Sequence, residues 1–379
     1  MHVRTFSLRP VWAEVDLQAV WHNVQVLLTL VNPETKLLAV VKANGYGHGA
    51  AEIAKVCLQA GASWLGVAIP EEALALREAG ITAPILILGY VPPEVAEAVV
   101  EAELSSAVFS EQVAQALSRA SRRVGRPARV HLKVDTGMGR LGVRPEGIRE
   151  FVRLLRRLPG LHIEGVFTHF ATADEQDLSY SREQLERFRQ VLEVVEGEGL
   201  AIPLRHAANS AATLALPESH FDLVRIGLAL YGIAPAPHLR GKVPLKPAMT
   251  LKGRVAFVKR VPPGTSISYG RTFTTQAETV VATIPLGYAD GYPRSLSNRG
   301  YVLLNGRRVP VIGRVCMDHF MVDATEAMPV EEGEEVTIFG PGLPVEEVAE
   351  WAGTIPYEIL TGVSSRVPRV YRGQGVEMG

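Results

Sequence analysis

The sequence predicts an α/β fold, a (β/α)8 TIM-type barrel followed by a mainly β C-terminal domain. From residue 37 to about 230, short apolar runs bounded by Gly or Pro alternate with amphipathic helical stretches, which is the pattern of repeated βα units. After about residue 240 the chain changes to short alternating runs rich in Pro, Gly, Val and Thr, which is typical of an all-β region. A Pro-rich segment separates the two regions, so we predict a barrel domain at residues 1–240 and a mainly β domain at residues 241–379.

Eight apolar runs are candidate barrel strands, and six helical stretches lie between them. The predicted strands are 37–43, 63–69, 84–90, 105–109, 129–135, 162–168, 204–208 and 222–226. The predicted helices are 50–60, 70–79, 93–102, 111–121, 145–157 and 181–197. Eight strands favour a barrel, although the same units can also build an open doubly wound sheet. Beyond residue 240, the stretch 344–353 is the only clear helix.

The composition excludes several classes of protein. With 39 basic and 40 acidic residues among 379, the net charge of −1 supplies no overall attraction to nucleic acid or to anionic lipid. The two cysteines, Cys57 and Cys316, are far apart and lack metal-binding spacing, so we expect no disulfide framework and no metal site. The N-terminal segment has no apolar signal region and no run reaches about 18 apolar residues, so we expect a cytoplasmic protein that does not enter the membrane.

Polar residues and glycines cluster where the predicted strands end. In a (β/α)8 barrel the active site lies at the carboxyl ends of the strands. The residues at or just after those ends are Lys42, Arg140, His169, Asn209, Ser210, Arg225 and Gly227. We therefore predict the functional site at this rim of the barrel.

The types of these residues indicate a cofactor. Only eight of the 39 basic residues are lysine, and Lys42 ends an apolar strand. Such a lysine either reaches solvent or, when it is desolvated, has a lowered pKa and forms a Schiff base. Ser210 and Gly227 follow strands seven and eight, where barrels bind phosphate, although Asn209 and Ser210 also suit a helix N-cap. A phosphate site beside a reactive lysine points to pyridoxal phosphate.

Several other side chains have both a structural and a functional interpretation. Arg225 lies on a predicted interior strand, where an unpaired charge is costly, unless it faces outward to a helix. His169 and His206 on neighbouring strands suit ordinary core positions or a hydrogen-bonded chain with Arg225. In the β region, Tyr269 and Tyr288 lie in Gly-containing turns. The segment Cys316-Met317-Asp318 is either a packing segment or part of a site.

The sequence resembles the bacterial alanine racemase family, fold-type III pyridoxal phosphate enzymes, along nearly its whole length. The matching segments, in order, are AVVKANGYGHG (39–49), VDTGMGRLG (134–142), THFATAD (168–174), HAANSAA (206–212), RIGLALYG (225–232), SYGRT (268–272), GYADGYPR (287–294), CMDHFMVD (316–323) and TIPYE (354–358). The resemblance implies interconversion of L- and D-alanine, with D-alanine supplied for peptidoglycan synthesis.

By this resemblance, Lys42 holds the cofactor covalently and acts as acid and base on one face of the substrate Cα. Tyr269 does the same on the opposite face and comes from the partner subunit of a homodimer. Racemisation requires two such groups, because one removes the proton and the other returns it with inverted stereochemistry. A tyrosine, with a usual pKa of about 10, needs donors that favour its phenolate, and the implied chain through His169, Arg225 and His206 supplies them.

The resemblance also implies ligand contacts. Arg225 donates to the pyridine nitrogen and, unlike a carboxylate, accepts no proton there. The implied phosphate contacts are Tyr46, Ser210, Gly227, Leu228 and Tyr357, with His169 and Asn209 as further cofactor contacts. Arg140 and Met317 are implied to contact the substrate carboxylate, and Lys133 matches a position that many members carry as a carbamylated lysine. The implied supporting residues are Lys133, His206, Tyr288, Cys316 and Asp318.

Three rival functions remain open at this stage. A racemase of broader range, or one that prefers serine, would use the same scaffold. A basic amino-acid decarboxylase shares the architecture but would be expected to place an acidic residue where this chain has Arg225. A non-catalytic pyridoxal phosphate carrier would bind the cofactor without exchanging the Cα proton, and the long β region with Tyr269 speaks against it.

Overall fold

The computed structural model describes residues 9–373 and divides into two compact units. One unit, here the barrel unit, comprises Ala19–Gly45 and Ala50–Lys246. The other, the β unit, combines the described residues up to Gln18, the short segment Tyr46–Gly49 and the described residues from Pro247 onward. The outer ends of the predicted domains, residues 1 and 379, lie outside the described residues.

The barrel unit contains eight parallel strands. The first strand of the chain, β1 (Val11–Asp16), belongs to the β unit, and the next eight form the barrel. These are β2 (Lys36–Val40), β3 (Trp64–Val67), β4 (Ile85–Ile87), β5 (Ser105–Val108), β6 (Ala128–Lys133), β7 (Leu161–Phe167), β8 (Leu204–His206) and β9 (Leu223–Ile226). They pair in the order β8-β7-β6-β5-β4-β3-β2-β9, so the predicted barrel, and not the open sheet, is confirmed.

Backbone hydrogen bonds bring the two ends of this sheet together. The N–H of Asp222 donates to the carbonyl of Arg205 at 3.1 Å, and the N–H of Arg225 donates to the carbonyl of Ala208 at 3.0 Å. Because helices cover the outer face of the barrel and side chains fill its interior, most strand residues are buried, which accounts for the nearly continuous apolar runs in the sequence.

Helices alternate with the barrel strands. They are α1 (Leu17–Leu28), α2 (Ala50–Gln59), α3 (Pro70–Glu78), α4 (Ala96–Glu101), α5 (Glu111–Val124), α6 (Ile148–Arg157), α7 (Ser179–Gly197) and α8 (Ser210–Ala215). All six predicted helices are confirmed, although 93–95 and 145–147 form single 3₁₀ turns before the helix proper. Helix α1, which precedes the first barrel strand, was not predicted, and the short α8 is the helix that the N-cap alternative for Asn209 and Ser210 implied.

The β unit is built around a nine-stranded sheet with the order β11-β14-β17-β16-β15-β18-β10-β1-β19, and a small β12-β13 ribbon. Its remaining strands are β10 (Met249–Arg254), β11 (Phe257–Val261), β12 (Ser266–Ile267), β13 (Phe273–Thr274), β14 (Thr279–Ile284), β15 (Tyr301–Leu304), β16 (Arg307–Ile312), β17 (Phe320–Asp323), β18 (Glu335–Phe339) and β19 (Arg369–Arg372). The prediction of a mainly β region is confirmed.

Two sequence-based expectations for this unit differ from the structure. The division at residue 240 placed the N-terminal segment with the barrel, whereas β1 pairs antiparallel with β10 and parallel with β19 in the sheet of the β unit. Buried and less buried residues alternate along β1, as expected for a strand in a sheet with one buried face. Its partner strands lie more than 230 residues away, so no local sequence pattern indicates that β1 pairs with them. Beyond residue 240 the structure has a second helix, α10 (Pro356–Gly362), after the predicted α9 (Val345–Ala352).

Within residues 9–373, the structure contains no helix that combines the length and the apolar character needed to cross a membrane.

Candidate active site

The segment after β2 turns sharply in a left-handed conformation. Lys42 lies two residues past the end of β2, and Ala43, Asn44 and Gly45 follow with φ of 50°, 53° and 62°. This region is costly for residues that carry a Cβ, so the turn needs support. Glu72 supplies it, because its carboxylate accepts from the N–H of Ala43 at 2.6 Å. The turn fixes the backbone directly after Lys42.

Lys42 is half-buried in the barrel unit, which agrees with a desolvated lysine better than with one that reaches solvent. Burial is the main cause of its lowered pKa, the positive charge of Arg140 lowers it further, and Glu72 partly offsets both. A larger fraction of the Lys42 amine is therefore neutral than in an exposed lysine, and a neutral amine is the form that attacks a carbonyl or accepts a proton.

Lys133 at the end of β6 is more deeply buried, with 6% of its surface exposed. Its Nζ donates to the carbonyl of Leu88 at 3.0 Å and lies 5.3 Å from the centre of the Phe167 ring. Burial, followed by the charges of Arg225, Arg140 and Lys42, lowers the pKa of Lys133 to about 8. No carboxylate hydrogen-bonds to its amine in the barrel unit as described, so the amine lies in a cationic environment.

Arg225 on β9 is buried and binds both histidines that the sequence analysis selected. Its Nη2 donates to the carbonyls of Thr168 and Ala207, at 2.8 and 3.0 Å, and lies 3.2 Å from Nδ1 of His169. Its Nη1 lies 3.1 Å from Nδ1 of His206. The structure thus brings together the chain His169, Arg225, His206. Burial lowers the pKa of Arg225 to about 9, so the guanidinium stays charged near neutral pH.

Both histidines of this chain are neutral near pH 7. Burial, followed by the charge of Arg225, lowers the pKa of His169 and of His206 well below the usual value. Since a guanidinium only donates, Nδ1 of each imidazole must accept, and the proton of each ring resides on Nε2. His169 therefore has an Nε2–H with which it can donate to another group.

The loops after β8 and β9 are joined by a hydrogen bond. The hydroxyl of Ser210 accepts from the N–H of Gly227 at 2.8 Å, which leaves its own proton to donate elsewhere. Asn209 caps α8 by accepting from the N–H of Ala212 at 2.9 Å, so the N-cap alternative describes Asn209 and not Ser210. Leu228 is buried at the start of a 3₁₀ turn.

Arg140 is exposed on the loop that follows β6, beside a cavity of about 550 Å³ in the barrel unit. Asp135 shapes this loop, because its carboxylate accepts from the N–H groups of Gly137 and Gly139 at 3.0 Å each. The guanidinium of Arg140 is therefore presented by an ordered turn.

In the β unit, Tyr46 packs against Tyr357 of α10, with ring centres 5.9 Å apart. Only 6% of Tyr46 is exposed, and burial raises its pKa, so its phenol stays protonated. The chain runs close to α10 here, since a Cβ on Gly47 would lie 2.2 Å from the carbonyl oxygen of Leu360. These contacts hold the Tyr46 ring in place.

Other candidate residues of the β unit are exposed. Exposed fractions are 72% for Tyr269, 43% for Tyr288 and 53% for Met317. Backbone pairing holds two of their loops together, because the N–H of Tyr288 donates to the carbonyl of Cys316 at 3.1 Å. Asp318 accepts from Arg366 at 2.8 Å. Large side chains this exposed are typical of a surface that binds another molecule.

Sequence reasoning missed four acidic or imidazole groups that the structure places near these residues. In the barrel unit they are Glu72, which supports the turn after Lys42, and the buried pair His131 and Glu164. In the β unit, the buried Asp290 binds Arg9 and accepts from the N–H of Gly287. None of these belongs to a strand-end cluster in the sequence, and only His131 and Glu164 are titratable residues within otherwise apolar runs.

A parallel barrel with lysines and arginines near the carboxyl ends of its strands has the layout of a barrel enzyme, whose active site lies at that rim. Profiles of the alanine racemase N-terminal and C-terminal domains match residues 15–235 and 248–371. The alanine racemase of Desulfovibrio desulfuricans is 50% identical over 364 residues, which cover 96% of this chain and 98% of the relative. The chain therefore belongs to the alanine racemase family, and it is an isomerase.

Solved structures agree with this assignment. The crystal structure of alanine racemase from D-cycloserine-producing Streptomyces lavendulae has a TM-score of 0.92 at 44% identity, over 97% of this chain and 98% of that chain. The structure of the Bartonella henselae alanine racemase, with covalently bound pyridoxal phosphate, has a TM-score of 0.87 at 32% identity, over 96% of this chain and 99% of that chain.

Proposed function

We propose that this protein is a pyridoxal phosphate-dependent alanine racemase that acts by a two-base mechanism as a cytoplasmic homodimer and supplies D-alanine for peptidoglycan synthesis. The observation that carries the proposal is the barrel rim, where burial, followed by the charges of Arg225, Arg140 and Lys42, lowers the pKa of Lys133 to about 8. A rim with this excess of positive charge favours a ligand with phosphate and carboxylate groups. The lowered pKa of Lys42 suits it to covalent attachment of a carbonyl compound.

The residues of the barrel unit fit pyridoxal phosphate. Ser210 keeps a hydroxyl proton for a phosphate oxygen, and the loop of Gly227 and Leu228 adjoins it. Arg225 offers only donors, which suits an unprotonated pyridine nitrogen. The structure of the Bartonella henselae enzyme contains the same cofactor in covalent form. By family matching, Tyr46, Asn209 and Tyr357 complete the binding set.

When bound, pyridoxal phosphate supplies an electron sink that acidifies the Cα–H bond of the amino acid. Lys42 Nζ, in its neutral form, accepts the Cα proton on one face or returns it from its protonated form. Tyr269 Oη does the same on the other face. Because Arg225 cannot accept a proton, it limits protonation of the pyridine ring and disfavours side reactions that need it. A decarboxylase would be expected to have an acidic residue at this position.

Tyr269 needs a donor to favour its phenolate. His169 has that donor, because its Nδ1 accepts from Arg225 and its Nε2 carries the proton. The 72% exposure of Tyr269 within one chain supports the proposal that it serves the barrel of a partner subunit. The exposed Tyr288 and Met317 suit the same surface, with Cys316 and Asp318 in the adjoining loop.

Arg140 would bind the substrate carboxylate, and Met317 from the partner would contact it. Lys133 would position Arg140 after carbamylation, in which its neutral Nζ adds to carbon dioxide and releases one proton. The carbamate would place a negative charge among Arg140, Arg225 and Lys42, the cationic groups that now lower the pKa of Lys133. Besides positioning Arg140, the carbamate of Lys133 would thus offset part of the positive charge at the rim.

The activity is tested by incubating the protein with pyridoxal phosphate and L-alanine in deuterium oxide. Optical rotation should vanish while deuterium enters Cα, and absence of both changes would refute the proposal. Lys42→Arg should abolish both, whereas Lys55→Arg, at an exposed ion-paired lysine of the same unit, should not. Cofactor binding without exchange would indicate a carrier, and faster exchange with serine would indicate a serine racemase.

The shared site is tested by mixing two inactive variants. Lys42→Arg and Tyr269→Phe subunits, dissociated and reassociated at random, should recover about one quarter of the wild-type activity, because half of the dimers are mixed and each has one intact site. Recovery of no activity would mean that both groups act within one chain. Separately, Tyr269→Phe should impair exchange from one enantiomer more than from the other.

A further inference from the structure

Glu164 is a carboxylate in the interior of the barrel. In the regular pairing of β6 with β7, Val130 lies opposite Ile163, but the next pair is His131 with Gly165. Glu164 is therefore the extra residue of a β-bulge. A bulge redirects a side chain that the strand alternation would otherwise place on the opposite face. Only 8% of Glu164 is exposed, and in the barrel unit it is the only acidic residue that is buried.

Two imidazoles connect Glu164 to Arg225. Nε2 of His131 lies 3.6 Å from the Glu164 carboxylate, slightly longer than a hydrogen bond, and that nitrogen has no hydrogen-bond partner among the described residues. Nδ1 of His131 lies 2.9 Å from Nε2 of His206, whose Nδ1 lies 3.1 Å from Nη1 of Arg225. These four side chains form one line of polar groups through the apolar interior.

The directions of the two hydrogen bonds in this line, and the proton position that faces Glu164, follow from the groups at its two ends. Arg225 can only donate, so Nδ1 of His206 accepts and the proton of His206 is on Nε2. That proton is donated to Nδ1 of His131, so the proton of His131 is on its Nε2 and faces Glu164. A carboxylate can only accept, so it favours this tautomer of His131 and no other.

Packing fixes the two rings in this geometry. The His206 ring is stacked on Phe167, with centres 4.8 Å apart and planes 4° from parallel. The His131 and Trp64 rings are nearly perpendicular, with centres 5.3 Å apart and planes at 76°. A Cβ on Gly165 would lie 2.6 Å from Nδ1 of His131, so only glycine leaves room for the ring there.

The charges support the same interpretation. Arg225 is buried and hydrogen-bonds to carbonyls and imidazoles, and none of its hydrogen bonds described here reaches a carboxylate. Glu164 also accepts from Ser105 at 2.5 Å and from the half-exposed Arg129 at 3.2 Å, so its charge is stabilised at the opposite end of the line. Burial keeps His131 and His206 neutral, which lets them relay polarisation without carrying charge.

We propose that Glu164 and His131 are positioning residues that hold His206 as its Nε2–H tautomer and thereby orient the Arg225 guanidinium at the rim. The inference rests on the proposed function in one respect, namely that Arg225 faces the cofactor. The ordering of the imidazoles is a property of the chain itself and does not depend on that assignment.

The test compares three variants of the full-length holoenzyme. Glu164→Gln keeps the shape of the side chain but offers both a donor and an acceptor to His131, so the tautomer is no longer specified. Glu164→Asp keeps the charge. Glu198→Gln is the matched control, because Glu198 is also about one-tenth exposed and paired with two arginines, Arg149 and Arg153, but has no histidine contact.

Nitrogen-15 NMR of the histidine-labelled protein distinguishes protonated from unprotonated ring nitrogens and so identifies the tautomer of each imidazole. In the wild type, Nδ1 of both His131 and His206 should appear as unprotonated nitrogen and Nε2 as protonated nitrogen. Glu164→Gln should give His131 a mixture of tautomers and shift the Nε2 signal of His206, while kcat falls about tenfold and the KM for L-alanine changes less than twofold. Glu164→Asp should restore most of both properties, and Glu198→Gln should change neither.

A protonated Nδ1 on His131 in the wild type would overturn the proposal. So would Glu164→Gln with unchanged His206 signals, or an equal loss of kcat in Glu198→Gln, since either result means that Glu164 serves only stability. If the wild type shows no racemisation while its imidazole signals still respond to Glu164→Gln, the relay stands and the proposed function is wrong.

Discussion

Carbamylation of Lys133 can be predicted quantitatively from its surroundings. Burial and three neighbouring cations lower the pKa of Lys133 to about 8. At pH 7.5, roughly a quarter of such an amine is neutral, against about one in a thousand for a lysine with the usual pKa of about 10.4. Since only the neutral amine adds to carbon dioxide, Lys133 should be modified at concentrations of carbon dioxide that leave the other lysines free. The modified nitrogen keeps one hydrogen, which can still donate to the carbonyl of Leu88.

The assay is carbon-13 NMR of the protein equilibrated with labelled carbon dioxide at a fixed dissolved concentration. A carbamate signal should grow as the pH is raised from 6.5 to 8, because the amine loses its proton over this range, and should disappear in Lys133→Arg. Lys55→Arg, at an exposed lysine, serves as the control and should retain the signal. A signal that is absent in the wild type, that survives Lys133→Arg, or that weakens as the pH rises would refute the reasoning.

Three further predictions concern single side chains. Asp290→Asn should lower the free energy of unfolding by about 2 kcal/mol in urea titrations, because it leaves Arg9 without its carboxylate, whereas the exposed pair broken by Glu278→Gln should cost less than about 1 kcal/mol. Ser210→Ala should weaken pyridoxal phosphate binding roughly tenfold in absorbance titrations, because it removes a donor to phosphate and the acceptor of a backbone N–H at 2.8 Å. Gly287→Ala should destabilise the protein by roughly 1–3 kcal/mol in the same urea titrations and reduce racemisation, because its Cβ would lie 2.3 Å from two carbonyl oxygens of the facing loop.

Each of these has a result that contradicts it. Equal losses of stability in Asp290→Asn and Glu278→Gln would show that burial of the carboxylate has no special effect. Unchanged cofactor affinity in Ser210→Ala would remove its hydroxyl from the phosphate site. A Gly287→Ala variant with wild-type stability and activity would mean that the two loops can separate without consequence.

Local patterns in the sequence were sufficient to predict the barrel. Each predicted barrel strand is a short apolar run that ends at a Gly, Pro or polar residue. All eight of these runs contain strands in the structure. The missed elements lack such a signal. β1 was missed because its partner β10 is distant in sequence, with Val11 opposite Gly253. The helix Pro356–Gly362 is too short to show a helical period.

The candidate site was predictable where residue type and position coincide. Lys42, His169 and Arg225 stand out because a charged or titratable group at the end of an apolar strand has few structural roles. Glu164 does not stand out, because its side chain is directed into the barrel by a β-bulge, and no pattern in the sequence predicts that bulge. The roles of Tyr269 and Met317 rest on the family resemblance alone, since their surroundings within one chain are mostly solvent.

The position of β1 sets the order in which the chain can fold as it is synthesised. β1 leaves the ribosome first, but its sheet partners β10 and β19 emerge only after the entire barrel, which is therefore an insertion within the β unit. The barrel contains all of its own strands and can form during translation. The β unit cannot complete its sheet until residue 372 has been made, and chains that stop before β10 would have a folded barrel and an unpaired β1.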